Sequence, residues 1–276
     1  MRRYELTDAE WQALEPLLPA SRMGRPRADD RRILNGIVWK FRAGVAWRDV
    51  PERYGPWASL HTRFRRWAAD GTFTAMLQAA QARADAAGDI DWLVAVDSTI
   101  VRAHQHAAGA RKGGTRRRPL GRSRGGLTSK IHLACDGRGR PLALLVTGGN
   151  INDCTRLMQL VQAIRVPRLG AGRPRVRPDH LIGDKGYSSK AIRAWLRRRG
   201  IAHTIPERAD QIRNRTRRGR RGGRPPVFDK HIYKRRNVVE RCFNRLKQWR
   251  GIATRYEKTA ESYQAAVTLA SLLMWL

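Results

Sequence analysis

Tyr233, Arg236, Glu240 and Lys247 fall along one stripe if residues 233–247 form a helix. With Glu240 at zero and 100° per residue, Tyr233 stands at about +20°, Arg236 at about −40° and Lys247 at about −20°. Val238, Val239, Cys242, Phe243, Leu246 and Trp249 fill a separate arc, which predicts a buried face with the polar stripe at its edge. A carboxylate flanked by two cations and a phenol suits gripping a metal and a phosphate together. The same spacing also fits an ordinary amphipathic helix in which Arg236 and Glu240 pair at i, i+4.

Two further carboxylates close predicted strands. Leu93, Val94, Ala95 and Val96 form an apolar run that ends in Asp97, and a second run, His180 to Gly183, ends in Asp184. Two strand ends and one helix can converge on one edge of a sheet. Asp97, Asp184 and Glu240 there would make an oxygen-rich pocket for hard divalent cations such as magnesium. Two ions about 3.5 to 4 Å apart would activate the attacking oxygen and stabilise the leaving oxygen of an in-line displacement. Taken singly, each aspartate also fits a turn or cap. His104 and His106, two apart on a possible strand, could bind a metal, but the hard-cation set already accounts for one. No GxSxG elbow marks a serine nucleophile, and the Gly-rich stretches lack the Lys-Ser/Thr ending of a phosphate loop.

The elements that must position these residues divide the chain near residue 88. Residues 1 to 88 read as all-helical. Thr7 and Glu10 form a capping box ahead of Trp11, Leu14, Leu17 and Leu18, with Pro19 as the stop. After a basic link from Ser21 to Ala28, a helix from Asp30 to Ala43 buries Ile33, Leu34, Ile37, Val38 and Phe41 and stops at Gly44. A third, from Ser59 to Ala69, buries Leu60, Phe64 and Trp67 and turns His61, Thr62, Arg63, Arg65 and Arg66 outward. Short helices with a basic last face are the arrangement of a helix-turn-helix reader, with Arg63, Arg65 and Arg66 as DNA contacts. A three-helix bundle with a solvated basic face is the alternative.

Beyond residue 88 the period changes. After the Asp97 strand come strands over Leu127 to Ala134 and Leu142 to Thr147, turning at Asp136, Gly137 and Gly139. A helix over Asp153 to Ile164 and the Asp184 strand follow, then a helix over Ser189 to Arg199 and a strand over Ile201 to Ile205. The order predicts an α/β sheet with helices on its faces, closed by a terminal helix within Ala265 to Leu276. Two Arg/Gly-rich stretches, Arg111 to Arg124 and Arg208 to Arg224, hold almost no apolar residue and read as loops that order on a phosphate backbone. Arg116, Arg117, Arg118, Arg217, Arg218 and Arg220 are their candidate nucleic-acid contacts.

Lys and Arg number 56 against 23 Asp and Glu in 276 residues, a net charge of +33, and charge of that size points to a polyanionic partner. No apolar run reaches spanning length, and the first ten residues carry Glu5, Asp8 and Glu10 with no apolar signal core, so the expectation is a cytoplasmic protein with no membrane partner. Cys135, Cys154 and Cys242 are scattered, which argues against a disulfide framework or a zinc ribbon.

Three segments together resemble the DDE transposases of bacterial insertion sequences. They are Val96-Asp97-Ser98-Thr99 with Val101-Arg102-Ala103-His104, Gly183-Asp184-Lys185-Gly186-Tyr187, and the Tyr-x2-Arg-x3-Glu-x6-Lys run from Tyr233 to Lys247. The opening residues, with Leu6-Thr7, Trp11, Gly24-Arg25-Pro26 and Trp47-Arg48-Asp49-Val50-Pro51, resemble the amino-terminal domain of the insertion sequence five family. The resemblance covers nearly the whole chain. It implies a ribonuclease-H-like mixed sheet in 89–276 and a metal triad of Asp97, Asp184 and Glu240 holding two Mg2+, with Mn2+ able to substitute. Tyr233, Arg236 and Lys247 take accessory places, the lysine holding DNA at the cleavage site. It further implies binding of double-stranded DNA, both terminal inverted repeats and target, and a homodimer on paired ends. A non-catalytic DNA-binding regulator and a two-metal nuclease without strand joining are the alternatives. One position departs from the pattern: an aspartate is expected after Tyr187, where Ser188 and Ser189 stand, and serine is expected to cap the next helix.

Overall fold

The computed structural model describes residues 4–19, 29–108, 120–123 and 125–276. Four helices come first: α1 (Asp8–Leu14), α2 (Asp30–Ala43), α3 (Trp57–Ala69) and α4 (Thr72–Ala86). The capping box expected at Thr7 is formed, with Thr7 Oγ1 accepting from Glu10 N–H at 3.0 Å and Glu10 Oε2 from Thr7 N–H at 2.7 Å. Asp29 caps α2, and Gly44 ends it in the left-handed region at φ 73°. α3 begins two residues earlier than its periodicity indicates, at Trp57 behind Pro56. Residues 44–56 join α2 to α3 through two 3₁₀ turns, whereas only Asp70 and Gly71 separate α3 from α4. α4 buries Phe73, Met76 and Leu77, so the basic helix that faces outward is α3.

The remainder follows as β1 (Leu93–Ala103), α5 (Gln105–Ala108), β2 (Gly121–Ser123), β3 (Gly126–Cys135), β4 (Pro141–Gly148), α6 (Leu157–Gln162), β5 (His180–Ile182), α7 (Lys190–Arg198), β6 (Ala202–Thr204), α8 (Ala209–Arg217), α9 (Lys230–Lys234), α10 (Asn237–Lys247), α11 (Arg250–Ala253), β7 (Thr254–Arg255) and α12 (Ala260–Leu272). β4, β3, β1, β5 and β6 lie side by side, antiparallel across β4–β3–β1 and parallel across β1–β5–β6. β2 extends β3 at one end, and β7 pairs in parallel with the last residues of β1. This is the mixed sheet with flanking helices that a ribonuclease-H-like fold requires.

Alternation along the strands divides the core between two faces. Ala95, Val101, Ile131, Leu133 and Cys135 join one cluster with Leu34, Phe41, Phe64 and Met76 of the opening helices and with α10 and α12. Val94, Val96 and Ala134 face the other way, against Leu157, Leu160, Tyr187, Ile192 and Leu196. The turn near residue 88 therefore separates helices from sheet without separating two cores. α12 is buried on nearly every side, as expected for a terminal helix packed on the core.

Four local expectations are corrected. β1 does not end at Asp97 but runs on to Ala103, because Asp97 to Arg102 stay paired with Leu133 to Thr128 of β3. The helix expected over Asp153 to Ile164 is a 3₁₀ turn, Asp153–Thr155, followed by the short α6. The stretch expected as a loop from Arg208 contains α8, which buries no residue and ties Arg215 to Glu207 at 2.8 Å. Arginine is a good helix former, so lack of apolar residues removed the core and not the helix. Finally, the helix carrying the Tyr233 stripe is broken at Arg235 and Arg236, leaving Tyr233 on α9 and Glu240 and Lys247 on α10.

Candidate active site

Register brings the first two carboxylates to one place. The parallel pairing of β1 with β5 ends at Ala95 opposite Ile182, so Asp97 and Asp184 each lie two residues beyond the last pair. β5 leaves the sheet at Gly183, where an added Cβ would stand 3.3 Å from both Val96 Cγ2 and Tyr187 Cδ2; the turn closes because glycine has none. Asp184 then caps the 3₁₀ turn Lys185–Tyr187, its Oδ1 accepting from Gly186 N–H at 2.8 Å.

Asp97 Oδ1 accepts from Ser98 N–H at 2.8 Å and its Oδ2 from Arg236 Nη1 at 2.5 Å. Burial pushes its carboxyl up to about 6, with nearby Asp184 acting in the same direction and Ser98 N–H and Arg236 opposing. Arg236 Nη2 also donates to Glu240 Oε1 at 3.2 Å, so one guanidinium bridges a carboxylate on the sheet and one on α10. Asp97 and its neighbouring carboxylates raise the Arg236 pKa against the opposing effect of its burial.

The three carboxylates thus gather at one end of the sheet, but not in the form the sequence suggests. Among the described residues no three His, Cys, Asp or Glu side chains lie close enough together to hold an ion. The Arg236 fork stands between half-buried Asp97 and exposed Glu240, and a planar fork supplies a counter-charge to both. The donor set itself, three carboxylates with no thiolate or imidazole, fits a hard divalent cation. Asp97, Asp184 and Glu240 are the residues that would hold it.

Lys247 reaches the same face of β1, its Nζ donating to Thr99 Oγ1 at 2.6 Å. Asp97 and Thr99, two apart on a strand, both point toward α10. Tyr233 packs its ring against Phe228, with centroids 5.1 Å apart, and its carbonyl accepts from Arg236 N–H at 2.9 Å. Ser188 does not cap α7. Its hydroxyl donates to Gln211 Oε1 at 2.5 Å and accepts from Arg193 at 3.1 Å, which ties α8 to α7, while Ser189 at the cap position makes no side-chain bond.

Sequence reasoning passed over a second polar group on the opposite face of the sheet. Lys130 is paired with Asp153 at 2.9 Å and donates to Ile151 O at 2.8 Å, and His132 bonds Thr147 Oγ1 at 2.8 Å. Buried Tyr187 has its pKa raised by burial and then by Asp97, Asp153 and Asp184, so the two polar groups meet around this phenol. Lys130 and His132, two apart on either side of Ile131, were the available signal.

The outlying candidates divide. His104 and His106 lie at the turn into α5 and not on a strand, with rings 4.5 Å apart. Arg63 is bonded to Asp30, lies over the Trp67 ring at 5.4 Å and is only 16% exposed. Arg65 and Arg66 are exposed on α3, as are Arg217, Arg218 and Arg220 at the end of α8 and in the turn after it. Arg116, Arg117 and Arg118 lie outside the described residues.

Residues 89–275 match the family described as "Transposase DDE domain". The chain belongs to the DDE transposases. Residues 6–77 of the transposase match a second family, "Putative transposase of IS4/5 family". It is 36% identical over 156 residues to the "Putative transposase for insertion sequence element IS402" of Burkholderia cepacia, covering 56% of this chain and 65% of that one. It is 32% identical over 150 residues to the "Putative transposase for insertion sequence element IS6501" of Brucella ovis, covering 54% and 99%. "Uncharacterized protein y4sN" of Sinorhizobium fredii is 40% identical over 109 residues, covering 39% and 83%. The Mos1 transposase paired-end complex overlaps 82% of the chain and 80% of its own at 11% identity and a TM-score of 0.27; the fold rests on the sheet order and not on that likeness. Membership of the family implies use of a divalent metal. No helix among the described residues is long and apolar enough to cross a membrane.

Proposed function

We propose that this transposase binds the terminal inverted repeats of its insertion sequence, cleaves the DNA at their ends with water, and joins the freed 3′ hydroxyl to target DNA. The observation that carries the reading is the Arg236 bridge from Asp97 to Glu240 beside Asp184, which gathers acidic groups from two strands and a helix inside a chain of net charge +33. Held by Asp97, Asp184 and Glu240, two Mg2+ ions, or Mn2+ in their place, would activate the attacking oxygen and neutralise charge on the leaving one. Arg236 stabilises the deprotonated form of Asp97 against its burial, which keeps that side chain a ligand near neutral pH. Lys247, held at Thr99, offers its ammonium to a scissile phosphate lying over β1. Tyr233, one turn ahead of Arg236 and bonded to its backbone, is assigned to the same group.

In cleavage, the water oxygen bonds to phosphorus as the 3′ oxygen leaves and takes a proton. In joining, that 3′ oxygen attacks a target phosphorus and expels the next 3′ oxygen. Neither step requires a covalent bond to protein. Arg65 and Arg66 on α3 and Arg217, Arg218 and Arg220 beyond α8 are the exposed cations we assign to the DNA backbone, with Arg63 excluded by its bond to Asp30. A homodimer on paired ends completes the reading.

Asp97→Ala should abolish magnesium-dependent cleavage of DNA carrying the element's ends while binding to those ends is kept. Cleavage at the normal rate by that variant removes the metal assignment. Binding without cleavage by the wild type in magnesium would make the chain a regulator. Cleavage without joining of pre-cut ends would make it a nuclease.

A further inference from the structure

A cleft that the mechanism does not use, of about 620 Å³, opens between α3 and the turn ahead of α12. Its walls are aromatic: Trp47 from the 3₁₀ turn before α3, Trp57 and His61 from successive turns of α3, and Tyr256 from the far side. Trp57 is 39% exposed, unusual for so large an apolar side chain at the start of a helix. Arg48 lies over the Trp57 ring at 5.5 Å and Lys40 over the Trp47 ring at 5.0 Å. The Trp47 and His61 rings stand 5.2 Å apart.

The far wall is held rigidly. Arg255, fully buried, donates to Ser129 Oγ at 2.5 Å and to the carbonyls of Glu257 at 2.9 Å and Lys258 at 3.4 Å, fixing the turn that presents Tyr256 and Lys258. Glu257, the one carboxylate of the lining, is buried and bonded to Lys40. With that charge answered, Arg48, Arg65 and Lys258 give the rim a net positive charge.

Flat rings interleaved with exposed cations are what an unpaired nucleotide requires, its base stacking and its phosphates neutralised. The volume falls within the range of ordinary ligand clefts, about 300 to 1,000 Å³. Position agrees. Phe64 of the lining belongs to the same cluster as Ala95 and Val101, so the cleft and Asp97 share a side of the sheet. β1 runs from Asp97 to Ala103, where it pairs with Arg255 just before Tyr256, so the two sites are about 20 Å apart along the strand, or about six base steps.

We propose that this cleft takes a base from unpaired DNA near the cleaved end, stacked on Trp57 and Trp47, with its flanking phosphates on Arg48, Arg65 and Lys258. The assignment rests on the DNA-binding reading above and adds a single-strand subsite to it.

The test uses the full chain with a single-stranded oligonucleotide of about 12 nucleotides and a duplex of the same length, binding followed by fluorescence anisotropy. Trp57→Ala should weaken single-strand binding about tenfold and duplex binding less than twofold, Trp57→Phe should restore most of the loss, and Arg65→Ala should weaken both. A photoreactive 5-iododeoxyuridine in the single strand should crosslink to Trp57, Trp47 or Tyr256 in the wild type, a readout independent of whether any variant folds. Equal loss for both probes, no loss for either, or crosslinks confined to other residues would overturn the cleft assignment. If the wild type binds the duplex and not the single strand, the cleft assignment falls and end binding stands. If it binds no duplex, the end-binding reading falls.

Discussion

Two charge clusters in this transposase, one buried and one half-open to solvent, are built on opposite accounts. Lys40 and Glu257 meet one to one, their side chains 1% and 4% exposed, and join α2 to the turn before α12. At the end of β1, Asp97 and Glu240 share the single guanidinium of Arg236, with Asp184 close enough to raise Asp97 further. The first cluster is closed: each charge is answered by the other. The second sets three acids around one guanidinium in a protein of net charge +33, and the proposed cation site rests on that arrangement.

The sharpest way to break the comparison is to remove the excess. Asp97→Ala should lower magnesium-dependent end cleavage by at least about a thousandfold, a loss on the scale of a missing preorganised electrostatic group. EDTA added to the wild type should do the same, measured on labelled end DNA. Opening the closed cluster should act on stability instead. Lys40→Met leaves Glu257 buried without its partner and should cost about 3 to 5 kcal/mol in urea unfolding. Replacing both residues with apolar ones should recover most of it, and failure to recover would mean the pair contributes more than mutual neutralisation.

Asp97→Asn should separate the two clusters by sign. With its folded pKa at about 6 and an ordinary value of 3.8, Asp97 binds more proton in the native state than in the unfolded chain between those values. Its contribution to stability therefore falls as pH rises through that window, and the cost is fully present above pH 6. Metal-free Asp97→Asn should be more stable than wild type by about 1 to 3 kcal/mol at pH 7.5, the gain shrinking toward pH 4. A lower melting temperature at pH 7.5 would show that the Arg236 bond outweighs burial. An effect of similar size but opposite pH direction is expected at His132, buried and lowered to about 4. The unfolded chain takes up its proton first, so stability should fall as pH drops from 6.5 to 4, and His132→Gln should flatten that part of the curve.

Sequence periodicity located most of the elements because each has a local cause. The capping box at Thr7, Asp29 and Gly44 around α2, and the apolar runs at 93–96 and 142–147 depend on near neighbours alone. The end of β1 was not legible, since the apolar run stops at Val96, and Asp97 to Arg102 stay in the strand through their pairing with β3, joined at Arg102 by β7. The break at Arg235 and Arg236 was hidden for a similar reason. The stripe from Tyr233 to Lys247 fits an unbroken helix, and Arg236 gains its place from Asp97, 139 residues away. The acids of the site were legible through their company. The arginine between them was expected as an accessory residue and as a helix neighbour of Glu240, and its bond to Asp97 was not.

A shared core also sets what can move. Leu34, Phe41 and Phe64 of the opening helices pack in one cluster with Ala95 and Val101 of the strand that bears Asp97. On the proposed reading, the part that grips DNA and the part that cuts it share one core. The distance from DNA held at α3 to the bond that breaks would then be a fixed ruler belonging to the protein, and DNA with an inserted base pair between those points would have to bend or twist to be cut.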